Sequence, residues 1–237
     1  MAMARTAQET RRAPGNGSCR LSDRNLSFQL HQKWRILGSA MTYSLLRYAH
    51  LIGLMLLGAG LIGVWISDLR SRKVRDLGLF AEAVRNIAVF YDGVVVPGAI
   101  TLFVSGTWMT ADVWGGWGFI QHPWLAGMIV LFGFEFVEGN TVTRLYFMRL
   151  RRLTNEALAQ GSVTPELNYA RQEHVPTFTH FLDIPMLLLI VSLGAMKPST
   201  WTQFIIGAIG ALGMATVLTL WIPRLYPWVP PTYHKPS

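Results

Sequence analysis

Charge is scarce in this chain. Asp, Glu, Lys and Arg make up 14% of its 237 residues, against roughly one quarter in an average soluble domain, and that shortage argues against an ordinary soluble fold. Cysteine is nearly absent too. The single thiol, Cys19, leaves neither an intrachain disulfide nor a cysteine metal cluster. No Gly-rich phosphate loop, His-Glu-x-x-His zinc helix or Gly-x-Ser-x-Gly elbow occurs in a usable context, which argues against a soluble catalyst working without a cofactor. No apolar core with a small-residue cleavage site follows the N-terminal charges before the first long apolar run, so those charges do not read as a signal peptide. Acids are fewer than bases, giving a net charge of +8. The bases sit in a tail and beside apolar runs rather than on a soluble binding module, so the charge points to membrane topology and not to nucleic acid.

What is present is apolar length. About half of the residues are apolar, 51%, and runs of about 20, enough to cross roughly 30 Å of hydrocarbon, recur. Five spans are expected: Tyr43 to Ile66, Ile87 to Met109, Trp124 to Leu145, Phe181 to Met196 and Phe204 to Ile222. The expected fold is all-α, a polytopic membrane bundle over residues 41–223 with a four-helix core and a fifth transmembrane helix. Residues 1–40 read as a mobile basic extension, with Leu30 to Leu37 as a short surface helix and Met41 as an alternative start. Residues 224–237 form a C-terminal tail.

Basic residues gather between spans one and two (Arg70, Arg72, Lys73, Arg75, Arg85) and between spans three and four (Arg144, Arg149, Arg151, Arg152, Arg171). The positive-inside rule puts those loops in the cytoplasm of a bacterial inner membrane. Trp108, Trp114, Trp117, Trp124 and Trp201 then fall at the outer face, and Trp65, Trp221 and Trp228 near the inner one. Gly53, Gly60 and Gly63 on span one, with Gly207, Gly210 and Gly213 on span five, suit close helix packing.

Six ionisable residues interrupt the spans or their ends: His50, Asp92, Glu135, Glu138, His180 and Asp183. A charge at the bilayer centre costs about 2.5–3.5 kcal/mol even on lenient insertion scales, which makes each a functional candidate. Depth divides them. At about 1.5 Å per residue, His50 lies toward the outer face and His180 near the inner boundary, too far apart to clamp one haem iron. An outer group has His50, Met109, His122, Met196 and Lys197, where imidazole and thioether suit a haem b. The inner group has the i, i+3 pairs Glu135/Glu138 and His180/Asp183, joined by Asp92; it suits a divalent metal or a proton relay. Arg144 or Arg85 paired with these acids is the structural alternative, and His180 among lipid headgroups is another.

The segment from Leu46 to Gly60, Leu-Arg-Tyr-Ala-His-Leu-Ile-Gly-Leu-Met-Leu-Leu-Gly-Ala-Gly, resembles bacterial predicted integral membrane proteins of the domain-of-unknown-function 2269 type. So do Val94-Val-Val-Pro-Gly, Ser105-Gly and Met196-Lys-Pro. More distantly, the span-one His followed by glycines is similar to the HemJ-type protoporphyrinogen oxidases and the copper-resistance D bundles. The HemJ likeness implies a haem b held by His50. The chain departs from that type where a Trp-Leu-His-x-Lys run is expected, having Trp124, Leu125, Ala126, Gly127 and Met128 instead. Three functions follow as expectations: haem-linked redox chemistry or electron transfer, a metal- or proton-coupled carrier, and an accessory subunit of a membrane complex. The lipid bilayer is the expected partner, with complex subunits or further copies of the chain.

Overall fold

A computed structural model describes the backbone of residues 17–232 and the side chains of residues 41–232. Of the expected extension, residues 1–16 lie outside the described residues, and residues 17–40 are described by backbone alone, as the first part of a helix. The chain divides into a unit of residues 1–45 and a unit of residues 46–237, and all contacts below belong to the second.

Helices account for nearly everything: α1 (Gly17–Lys73), α2 (Leu77–Phe90), α3 (Val96–Trp114), α4 (Pro123–Glu138), α5 (Arg144–Gln160), α6 (Pro165–Ala170), α7 (His174–Met196) and α8 (Trp201–Leu225). A π-helical turn, Tyr91–Val95, joins α2 to α3, and a second, Gly139–Thr143, joins α4 to α5. Five stretches are long and apolar enough to cross a membrane: Met41–Lys73, Leu77–Trp114, Pro123–Gln160, His174–Met196 and Trp201–Leu225. The all-α membrane bundle expected from the sequence is therefore what is found.

The helices run further than the apolar windows at the basic end. There α2 and α5 are amphipathic and pack on each other, closing over Phe80, Val84, Ile87, Leu150, Ala157 and Leu167. Each large apolar side chain buried from water contributes about 1.5–3 kcal/mol, a driving force that is missing between helices immersed in lipid. Asp76 starts α2 by accepting from the Leu79 N–H at 2.9 Å, and Thr164 starts α6 by accepting from the Leu167 N–H at 3.2 Å. The segment after α8 returns to this end, where Leu77 N–H donates to the Thr232 carbonyl at 3.1 Å.

Small residues set the approach of α1 to α3. A methyl group built on Gly98 would stand 2.6 Å from the Leu57 backbone nitrogen, and one on Gly53 3.0 Å from the Leu102 nitrogen. Gly60 and Gly63 similarly receive Val95 and Phe90. On α8 only part of the expected stripe is used: Gly207 meets Leu189, whereas nothing lies within 4 Å of Gly210 or Gly213. Gly98→Ala is expected to cost about 1–3 kcal/mol of stability through overpacking, and Gly210→Ala nothing. Thermal unfolding of the two variants in one detergent checks this; equal midpoints would contradict the close approach.

Candidate functional site

The two π turns lie side by side. The Tyr91 hydroxyl donates to the Gly139 carbonyl at 2.6 Å, and a β-carbon on residue 139 would stand 2.9 Å from that hydroxyl. Glycine is thus what lets the ring reach the neighbouring backbone. A π turn widens one helical turn and re-aims the side chains around it, which is why such turns recur at functional sites.

Beside these turns, α4 and α7 bring Glu135, Glu138 and Asp183 together, each offering an oxygen within 4.8 Å of the others. Successive turns of α4 carry the two glutamates on one face, and α7 packs against α4 with Asp183 inward. Glu138 and Asp183 are buried, at 7% and 5% exposure. The Thr143 hydroxyl donates to Glu138 Oε1 at 2.8 Å and lies 3.2 Å from the Thr179 hydroxyl. Glu135 Oε1, Glu138 Oε2 and Asp183 Oδ2 have no hydrogen-bond partner. Among the described residues, no Lys or Arg forms an ion pair with this triad. Like charges this close in a dry interior need a cation or shared protons to balance them.

A second buried network lies next to it. Arg171 Nη1 donates to Asp68 Oδ1 at 2.8 Å, Arg72 Nε donates to Asp68 Oδ2 at 2.9 Å, and Arg171 Nη2 donates to Ser71 Oγ at 3.1 Å. Burial opposes the Arg171 charge, but Asp68 more than offsets it and raises the guanidinium pKa above its ordinary value. The Trp228 ring covers that guanidinium at 4.9 Å. His180 stands between the networks. Its Nε2 is 4.0 Å from Asp68 Oδ2 and its Nδ1 is 3.8 Å from Asp183 Oδ2, while neither nitrogen makes a hydrogen bond. Phe147 and Phe181 pack against its ring. Ionisable groups therefore follow one another from Arg171 through Asp68 and His180 to the triad.

Of the expected inner ligands, Glu135, Glu138 and Asp183 come together. Asp92 does not: it pairs with Arg144 at 3.1 Å on the outside of the bundle, because Tyr91 takes the inward direction and adjacent helical residues diverge by about 100°. His180 is 2% exposed and so is not among headgroups. In the sequence Arg72 and Arg171 read only as topology-setting charges, and nothing there singles out Asp68 beyond its i, i+4 spacing to Arg72 amid bases. Trp65 and Trp228, expected near the inner face, also have specific partners inside the bundle. Trp65 Nε1 donates to the His180 carbonyl at 3.0 Å, and Trp228 Nε1 to Asn168 Oδ1 at 3.2 Å.

The outer group is spread out. His50 Nδ1 lies 3.0 Å from Ser105 Oγ, and Gly106 makes room for the ring. Ser105 donates its one proton to the Thr101 carbonyl at 2.5 Å, so Nδ1 is the donor to Ser105 and Nε2 keeps its lone pair. Met109 is one turn further along α3. His122 precedes α4 and packs against Trp114 with the rings tilted, centroids 4.2 Å apart; Lys197 reaches over Trp124 at 5.5 Å; Met196 is 79% exposed. Asp68, which faces His180, is 18 residues beyond His50 on α1, about 27 Å at the helical rise, so the two histidines stand at different levels of the bundle.

A family model described as a predicted integral membrane protein, DUF2269, matches residues 44–198. That range contains the triad, His180, Asp68 and Arg171 but not α8. No curated protein and no solved structure matches the chain.

Proposed function

This chain belongs to the DUF2269 family of predicted integral membrane proteins, and from that premise we propose that it is a proton-coupled cation carrier working through Glu135, Glu138 and Asp183. The observation that carries the reading is the convergence of three carboxylates from two helices, with oxygens left unpartnered in the bundle interior. Such a site exchanges protons for a cation: the cation takes the carboxylate oxygens, and the displaced proton leaves by another route. His180, with Nδ1 3.8 Å from Asp183 Oδ2, is the first group on that route toward the basic end, which the positive-inside rule assigns to the cytoplasm. Oxygen-rich sites favour hard cations, so Mn²⁺ is the natural inorganic probe. In liposomes with an inward-facing pH-sensitive dye, uptake of Mn²⁺ or of an organic cation should move protons the opposite way. Neither movement with either class of cation would end the proposal.

A second reading keeps haem-linked redox chemistry at His50. Its support is the Nδ1–Ser105 hydrogen bond, since a metal-ligating His commonly donates its other ring nitrogen in this manner and offers the free one to the metal. His50 would hold the iron through Nε2, and a haem would supply one-electron chemistry there. Protein purified after haem supplementation should then show a Soret band that His50→Ala loses; absence of the band overturns this reading.

A further inference from the structure

A cavity of about 130 Å³ opens beside the triad. Glu135 and Asp183 lie at its polar side, and Leu57, Val96, Ile100, Phe132, Leu187 and Ile190 contribute apolar wall. Ile100 is half exposed on the surface of α3. At the same helical level Phe103 stacks on Phe136 at 5.7 Å, so α3 and α4 meet through side chains next to the cavity.

We propose that this cavity takes a lipophilic ammonium ion, with its charged head on Glu135 and Asp183 and its apolar body against Val96, Ile100 and Phe132. The proposal rests on the proton–cation exchange reading and names the class of cation. Two independent observations meet here. Asp183 is 5% exposed and lines the cavity, Glu135 Oε1 and Asp183 Oδ2 are buried without a hydrogen-bond partner, and the space beside the two carboxyl groups is walled mainly by carbon. An ammonium group presents three N–H donors and no acceptor, which complements carboxylates that accept only. A hard metal ion asks for about six oxygen ligands, which three carboxylates reach only if every one binds through both oxygens, whereas an ammonium head is satisfied by three acceptors. Size bears on the body as well: an apolar cavity of about 150 Å³ accommodates a benzene ring, so this slightly smaller one seats a short apolar body, and the end of a hexyl tail would extend past Ile100 into lipid. A neutral acyl chain would fill the same walls but leave the carboxylates unanswered.

Dicyclohexylcarbodiimide, a hydrophobic reagent for protonated carboxyl groups, reads the site in the purified full chain. Modification of Glu135, Glu138 and Asp183 is mapped by mass spectrometry with hexylammonium or hexan-1-ol present. Hexylammonium should protect at a concentration about tenfold or more below that of hexan-1-ol, as expected for a charge-assisted contact. Ile100→Trp, which fills the cavity mouth and leaves the carboxylates in place, should raise the protecting concentration by about tenfold. If the triad is modified but hexylammonium protects no better than hexan-1-ol, the lipophilic cation is overturned while proton–cation exchange stands. If the triad is not modified at all and cations release no protons from the protein, both fall.

Discussion

Asp68→Ala is expected to destabilise the protein by about 3–5 kcal/mol, the cost of leaving a buried charge without its partner. Asp68 is the common acceptor of two guanidiniums, Arg72 and Arg171, and all three residues are buried. Removing the carboxylate strands two positive charges, one of them held between Ser71 and the Trp228 ring. Water cannot easily reach them, because Phe80, Phe181 and Trp228 surround the pair. Glu156→Ala gives the contrast. Its partner Arg152 is 3.7 Å away and both are exposed, a geometry in which an ion pair contributes about 0–1 kcal/mol. Thermal unfolding in detergent, followed by tryptophan fluorescence, compares the two. Equal losses would mean that the Asp68 network is not what closes the basic end of the bundle.

Asp183→Asn is expected to act in the opposite sense on stability and function. The amide keeps the volume but removes one member of a like-charged cluster, so the fold loses nothing and gains where repulsion was present. Cation affinity should drop at least as far as it does when a supporting residue of a metal site is lost, about 10–100-fold, and coupled flux should fall to background. Glu138→Gln should follow the same pattern, with Thr143 still able to donate to the side-chain oxygen. Asp92→Asn should not, since Asp92 serves Arg144 on the outside of the bundle. A site whose carboxyl groups only pack would show unchanged flux in all three variants. Liposome uptake measured beside unfolding temperature separates the two cases.

The five spans were legible because about 20 apolar residues in a row have few alternatives to crossing a bilayer. Their ends were not. Leu77–Phe90 and Arg144–Gln160 continue as amphipathic helices whose charged faces lower the hydropathy of any window, so the spans were drawn short at the basic end. Glu135, Glu138 and Asp183 could be grouped by depth and by i, i+3 spacing, both of which are properties of a helix alone. What failed needed tertiary knowledge. The direction of Asp92 depends on which way Tyr91 points. The partnership of Asp68 with Arg171 joins positions 103 residues apart, and nothing local announces it. Arg72 and Arg171 entered the topology argument as charges while their structural work stayed out of view. The π turns were equally hidden, and the Tyr91–Gly139 contact that ties them together joins positions 48 residues apart.

The central claim is that the triad holds protons which a cation displaces. Proton release from the purified full chain, in weakly buffered detergent with an indicator dye, measures that exchange without need of a gradient. On addition of Mn²⁺ or hexylammonium the wild-type protein should release protons to the medium, Asp183→Asn should release fewer, and Asp92→Asn should match the wild type. No release with either cation, or release that Asp183→Asn leaves untouched, would contradict the account.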